Sequence, residues 1–169
     1  MAKSNIVLIG MAGAGKSTIG RILASQLNFP FIDSDQLIEQ RENKSLQTLL
    51  DSEGYLGLRK IEEEAILTIN TSNTVIATGG SAIYSEKAIT HLAGQGVLVF
   101  LDVPLPLIQQ RIGDYSQRGL AKPKAQTLSA LYNERHPLYQ QHANITVSKS
   151  DCKATEIAAD IMRLISSQT

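Results

Sequence analysis

The sequence has no tryptophan, one cysteine and only 5% aromatic residues, and its 16 Lys and Arg cancel its 16 Asp and Glu. Each shortage excludes something. A lone thiol, Cys152, can close no disulfide within the chain and cannot supply a multi-cysteine zinc site. Disulfide-stapled secreted scaffolds are thereby removed, and a reducing, cytoplasmic compartment is expected. A formal charge of zero gives no global field toward DNA, RNA or an anionic membrane. No apolar stretch approaches the roughly 20 residues that a bilayer-spanning helix needs. The short apolar run after Lys3 leads straight into a glycine loop where a signal peptide would need its cleavage site, so no export signal is expected. The expected protein binds small molecules, has neither a nucleic-acid nor a membrane partner, and is a monomer.

What is present is a chain of 169 residues, 43% hydrophobic, with 12 Gly and 5 Pro, enough for one ordinary core. No repeat, low-complexity tract or Pro/Gly/Ser-rich linker divides it, so residues 1–169 read as a single domain. Apolar runs at Asn5–Ile9, Thr74–Ala77 and Val97–Leu101 suggest strands buried on both faces of a parallel sheet, with Phe29–Ile32 and Ala143–Val147 as weaker candidates. Helical spacing puts Ile19, Ile22, Leu23 and Leu27 on one face, then Leu128, Leu131 and Tyr132, then Ile157, Ile161, Leu164 and Ile165. Pro104 and Pro106 can open a further helix through Ile112. The prediction is a three-layer α/β/α architecture around a five-stranded parallel sheet. Residues 113–124, GDYSQRGLAKPK, lack apolar periodicity and read as a mobile loop.

Gly10-Met11-Ala12-Gly13-Ala14-Gly15-Lys16-Ser17 follows a predicted strand and precedes a predicted helix, the context a P-loop requires. Its glycines let successive N–H groups face a polyphosphate, and the helix start adds a positive dipole end. Gly13, Ala14, Gly15, Lys16, Ser17 and Thr18 are the expected phosphate contacts, with Lys16 reaching the β- and γ-phosphates and Ser17 ligating Mg²⁺. The Asn-Lys-x-Asp box of guanine-specific proteins is absent, so ATP is the expected nucleotide, and the size suits a small-molecule kinase.

Asp33 and Asp35 stand at the end of a predicted strand, beside the crevice where open parallel sheets bind ligands. If the extended conformation continues, both point the same way. One then serves Mg²⁺ through water and the other an attacking hydroxyl. Alternatively, Asp35 merely caps a helix over Gln36–Gln40.

With these residues in hand, the chain resembles the shikimate kinase family. Gly10 to Gly20 follows the family's extended P-loop, Asp33 and Asp35 its Asp-x-Asp, GYLGLRKIE from Gly54 its Gly-x-x-x-Phe-Arg-x-x-Glu, ATGGS from Ala77 its Ala-Thr-Gly-Gly-Gly, and RHPLY from Arg135 its Arg-x-Pro-Leu-Tyr. The resemblance implies a P-loop NTPase fold of the nucleoside monophosphate kinase-like type and transfer of phosphate from ATP to the 3-hydroxyl of shikimate. It assigns Ser17 and Asp33 to the metal, and Asp35, Arg59, Gly79, Gly80 and Arg135 to shikimate. Arg118 reaches the transferring phosphate from a closing lid, and Arg111 flanks the adenine. Catalysis then falls to Lys16, Asp35 and Arg118. Guanidinium forks suit a carboxylate and a carboxylate suits hydroxyls, so the assignment is chemically coherent.

Each assignment has a plainer counterpart. Arg59 could form a surface pair with Glu62, Gly79-Gly80 could be a turn, and Arg135 could flank a core face. His91, His136 and His142 lack metal-ligand spacing and read as structural or surface residues, and Cys152 as inert. Four departures from the family pattern span five positions: Tyr55 for an acidic residue, Leu58 for an aromatic, Ser81 for the third glycine, and Gly119 and Ala121 in the lid's Arg-Pro-Leu-Leu. All lie on the acceptor side or the lid. Ser81 either costs affinity or supplies a new hydrogen bond, and Gly119 in place of proline is expected to loosen the lid. These departures leave open a kinase of another hydroxylated acid, such as a gluconate-like sugar acid, or an ATP-binding module without catalysis.

Overall fold

The protein was analysed as a computed structural model that describes residues 4–113, 119–148 and 151–167. Five parallel strands form one sheet: β1 (Asn5–Ile9), β2 (Phe31–Asp33), β3 (Val75–Ala77), β4 (Gly96–Leu101) and β5 (Ile145–Val147), in the order β2-β3-β1-β4-β5. The helices are α1 (Lys16–Leu27), α2 (Ser34–Glu42), α3 (Leu46–Leu67), α4 (Glu86–Gln95), α5 (Leu105–Ile112), α6 (Leu128–His142) and α7 (Ala154–Ser166), with a 3₁₀ turn over Ala82–Tyr84. Every residue of β1 is buried, so helices cover both faces of the sheet. In the helical layers α1 packs with α7, and α3 packs with α4. Val7, Leu8, Ile76, Leu98 and Val99 fill the centre. The chain order reverses beside β1, which opens the ligand crevice at the carboxyl ends of β1, β3 and β4.

The predicted strands all form, with shifted edges at the two weaker ones. Asn28 adopts φ 55 as the C-cap of α1, and the Phe29 amide donates back to the Ala24 carbonyl, so β2 cannot start before the following proline. At the other edge, the Asn144 side chain accepts from the Leu98 amide, and the β5 ladder proper begins at Ile145. The extended run ends at Asp33. That residue, not Asp35, is the N-cap of α2, its Oδ1 accepting the Asp35 amide at 3.0 Å. Helix α3 carries no clean apolar period because Gly54, at φ 72, breaks it. Beyond that break Leu58 and Ala65 join Ile38, Leu49 and Ala121 in a small second core.

Of the predicted lid, residues 114–118, Arg118 among them, lie outside the described residues. The expectation that Gly119 loosens the segment is corrected by its surroundings. Gly119 has φ +58, its amide donates to Gln47 Oε1 at 2.8 Å, and a Cβ there would lie 2.8 Å from that of Leu46. Proline has neither the N–H nor the φ for this position. Glycine therefore pins the chain here, and buried Ala121 follows two residues on.

Candidate active site

Between β1 and α1 the chain turns through Gly10–Gly15, and α1 starts on Gly15, whose φ of 93 excludes most side chains. Lys16 is buried and folds over this loop, its Nζ donating to the carbonyls of Gly10 and Met11 at 2.7 and 2.8 Å. Burial draws its pKa down to about 8, against the opposing pull of Asp35. Ser17 Oγ donates to Asp33 Oδ2 at 2.6 Å, which brings two hard oxygens to the amino end of α1. Gly13, Gly15, Lys16, Ser17, Thr18, Asp33 and Asp35 all line a cavity of about 300 Å³.

The far wall of the same cavity is built from distant segments. Because Asp33 caps α2, Asp35 enters from the first helical turn and not by strand alternation. Burial, and secondarily the charge of Asp33, push its carboxyl up to about 6. Gly79 donates its amide to the buried Ser34 hydroxyl at 2.8 Å, and the Gly80 carbonyl accepts from Tyr139 at 2.6 Å. Arg135 is only 1% exposed. Burial disfavours its charge, but Tyr139, Tyr84 and Glu62 facing it hold the guanidinium cationic.

Arg59 and Arg135 meet at one oxygen. Arg59 donates Nε and Nη2 to the Ala121 carbonyl at 3.1 and 2.9 Å, and Arg135 Nη2 donates to the same atom at 3.2 Å. Arg59 therefore does not form the surface pair with Glu62 that its spacing allowed. Its guanidinium lies 3.7 Å from the Tyr84 ring centre and 5.1 Å from that of Tyr55, so one of the departures from the family pattern stacks on it. Leu58, another departure, lines the cavity beside Glu62.

Sequence reasoning had treated Glu62 only as a possible partner of Arg59, and it did not single out Ser34, Tyr84 or Tyr139. The available signal was the motif position of Glu62 itself, three residues beyond Arg59. It is 3% exposed, accepts a hydrogen bond from Ser81, and is raised to about 7, first by burial and then by the Asp35 charge. On the other side of the P-loop a second cavity of about 270 Å³ is lined by Arg111, Val103, Ile157 and Cys152. Arg111 Nη1 donates to the Gly13 carbonyl at 3.2 Å. The three histidines lie elsewhere: His91 on the Ile69 carbonyl, His136 on Asp102, and His142 near Glu86. No helix among the described residues is long and apolar enough to cross a membrane.

Comparison with known proteins agrees with this geometry. Residues 12–166 match the family model described as shikimate kinase. Shikimate kinase 1 of Salmonella newport is 39% identical, covering 98% of each chain. The solved shikimate kinase of Acinetobacter baumannii, in complex with shikimate, superposes with a TM-score of 0.90 at 33% identity, over 99% of this chain and 96% of that one. The enzyme from Aquifex aeolicus gives 0.83 at 31% identity over 97% of both. Matched by the family model over residues 12–166 and by a curated relative along almost its full length, the chain belongs to the shikimate kinase family.

Proposed function

We propose that this chain phosphorylates the 3-hydroxyl of shikimate with ATP, giving shikimate 3-phosphate and ADP, and that it works as a monomer within a single domain. The observation that carries the reading is one cavity lined by the P-loop, Asp35 and Arg135, with Arg59 donating to the same Ala121 carbonyl as Arg135 at its edge. Two such donors around one oxygen suit a carboxylate. The Acinetobacter relative, described in complex with shikimate, supports the choice of acid.

In this reading the P-loop amides and Lys16 hold the phosphates, with Thr18 at the head of α1. Arg111 lies beside the base in the second cavity. Ser17 and Asp33 fit magnesium as a hydroxyl and carboxylate pair at 2.6 Å, and the metal would neutralise phosphate charge there. Arg59 and Arg135 hold the acceptor carboxylate, and the Gly79-Gly80 turn lets the ring approach. Asp35 Oδ1 accepts the proton of the 3-hydroxyl as its oxygen attacks the γ-phosphorus in line, and the bond to the ADP oxygen breaks. Lys16 and Arg118 offset the charge on the transferring group, and the lid over 113–124 excludes water. Incubation with ATP, magnesium and a panel of polyhydroxy acids, followed by mass spectrometry, tests the assignment. Phosphorylated shikimate is the expected product, and phosphate on gluconate-type acids alone would reassign the acceptor.

A further inference from the structure

Glu62 is a buried carboxylate with an unequal pair of oxygens. Oε2 accepts the Ser81 hydroxyl, whereas Oε1 has no partner although it is shielded from solvent. An unpaired buried acceptor is costly unless something binds to it. Glu62 lines the cavity, and its Oε1 lies against Gly79. A Cβ built on Gly79 would collide with Oε1 and come within 2.7 Å of Asp35 Oδ1, so the two carboxylates look onto the same small space from α3 and α2.

Ser81 stands where the family pattern has a third glycine. Glycine offers no side-chain donor, so this chain ties down Glu62 with a hydroxyl that the pattern lacks. Ser81 is itself buried, at 8% exposure, and follows directly on the Gly79-Gly80 turn. We infer that Ser81 is a positioning residue of the acceptor site: by donating to Oε2 it fixes Glu62 with Oε1 free to accept a ligand hydroxyl beside Asp35. The inference rests on the proposed function, since it presumes a polyhydroxy acid as the ligand.

Electrostatics agree with this role. The charged and titratable groups facing Glu62 are Asp35 from α2, Lys16 from α1, and Arg135 and Tyr139 from α6. Burial and Asp35 push the carboxyl toward its proton-bearing form, while the Ser81 hydrogen bond, Arg135 and Lys16 favour the carboxylate. Without the hydroxyl, Glu62 takes up its proton at higher pH, and a protonated Oε1 no longer accepts equally well.

The test compares unaltered protein with Ser81→Ala, Glu62→Gln and the double variant, measuring KM for shikimate, KM for ATP, and kcat/KM for shikimate against pH. For Ser81→Ala the expected result is a roughly tenfold rise in shikimate KM, the size of one lost charge-assisted hydrogen bond, with ATP KM unchanged. The acid limb of kcat/KM moves to higher pH. In the Glu62→Gln background the same substitution adds little, because the two side chains act as one unit. Unchanged shikimate KM and acid limb in Ser81→Ala would overturn the inference. So would equal losses for both substrates together with a lower melting temperature, which is the signature of a packing role. Failure of the unaltered protein to phosphorylate shikimate would instead remove the function itself, and this inference with it.

Discussion

The two halves of the cavity are made in different ways. The proposed nucleotide half comes from one continuous stretch, Gly10–Thr18, and offers backbone amides, a helix end and one lysine. The proposed acceptor half gathers Asp35, Arg59, Glu62, the Gly79–Ser81 turn and Arg135 from α2, α3, the β3 end and α6, and offers mainly side chains. Every departure from the family pattern falls in the second half or in the lid. A backbone cradle tolerates little change because its glycines are set by φ, whereas a side-chain wall can be rebuilt around the same charges. Tyr55 stacked on Arg59, and Ser81 bonded to Glu62, are two such rebuildings.

Substitutions can separate the halves. Asp35→Asn is expected to reduce turnover by about 10²–10⁴-fold, the usual worth of a positioned proton acceptor, while ATP still binds. A steady-state assay combined with nucleotide titration checks both parts, and unaffected turnover would remove Asp35 from the chemistry. Arg135→Ala should raise shikimate KM on the order of 10–100-fold, since a fully buried guanidinium is lost, and Arg59→Ala should do less because Arg59 is half-buried. ATP affinity should stay constant in both variants, and a parallel loss of ATP binding would merge the halves.

Gly119→Pro restores the family's residue yet should harm this chain. It deletes the amide donated to Gln47 and demands a negative φ, so a loss of about 1–3 kcal/mol is expected by denaturant titration. Stability equal to the unaltered protein would show that the segment is not pinned as described. The smallest effect concerns pH. Glu62 titrates near 7 in the folded protein against an ordinary 4.5, so folding favours its protonated form. That contribution is complete below about pH 4.5 and disappears as pH rises through 7. Glu62→Gln, neutral throughout, should therefore gain about 2–5 °C in melting temperature relative to the unaltered protein on going from pH 5 to pH 8. Lys16, lowered to about 8, acts with the opposite sign and only around and above that pH. A pH-independent difference between the two proteins would mean that Glu62 is not strained by burial.

The same contrast explains how much could be read from residues alone. Strand β1 and the P-loop were legible because local periodicity and spacing determine them. The strand edges at Phe29 and Ala143 were not, since an αL cap at Asn28 and the Asn144 side chain fix them. Helix α3 was hidden by Gly54, where the helical angles fail, and by residues on its two sides serving separate apolar clusters. In the acceptor half Asp35 was legible from its place at a predicted strand end, and Arg59 and Arg135 through motif resemblance. The meeting point of the two arginines, the Ala121 carbonyl, carries no sequence signal because any residue has a carbonyl. The partnership of Ser81 with Glu62 joins α3 to the turn after β3, and only the folded chain brings them together.

In the proposed function a nucleotide half serves an acceptor half built for shikimate. Coupled measurement of ADP release at saturating ATP and magnesium, with and without shikimate, tests it most directly. ADP formation should rise with shikimate to saturation, far above basal hydrolysis. No acceleration above the basal rate at any shikimate concentration would contradict it.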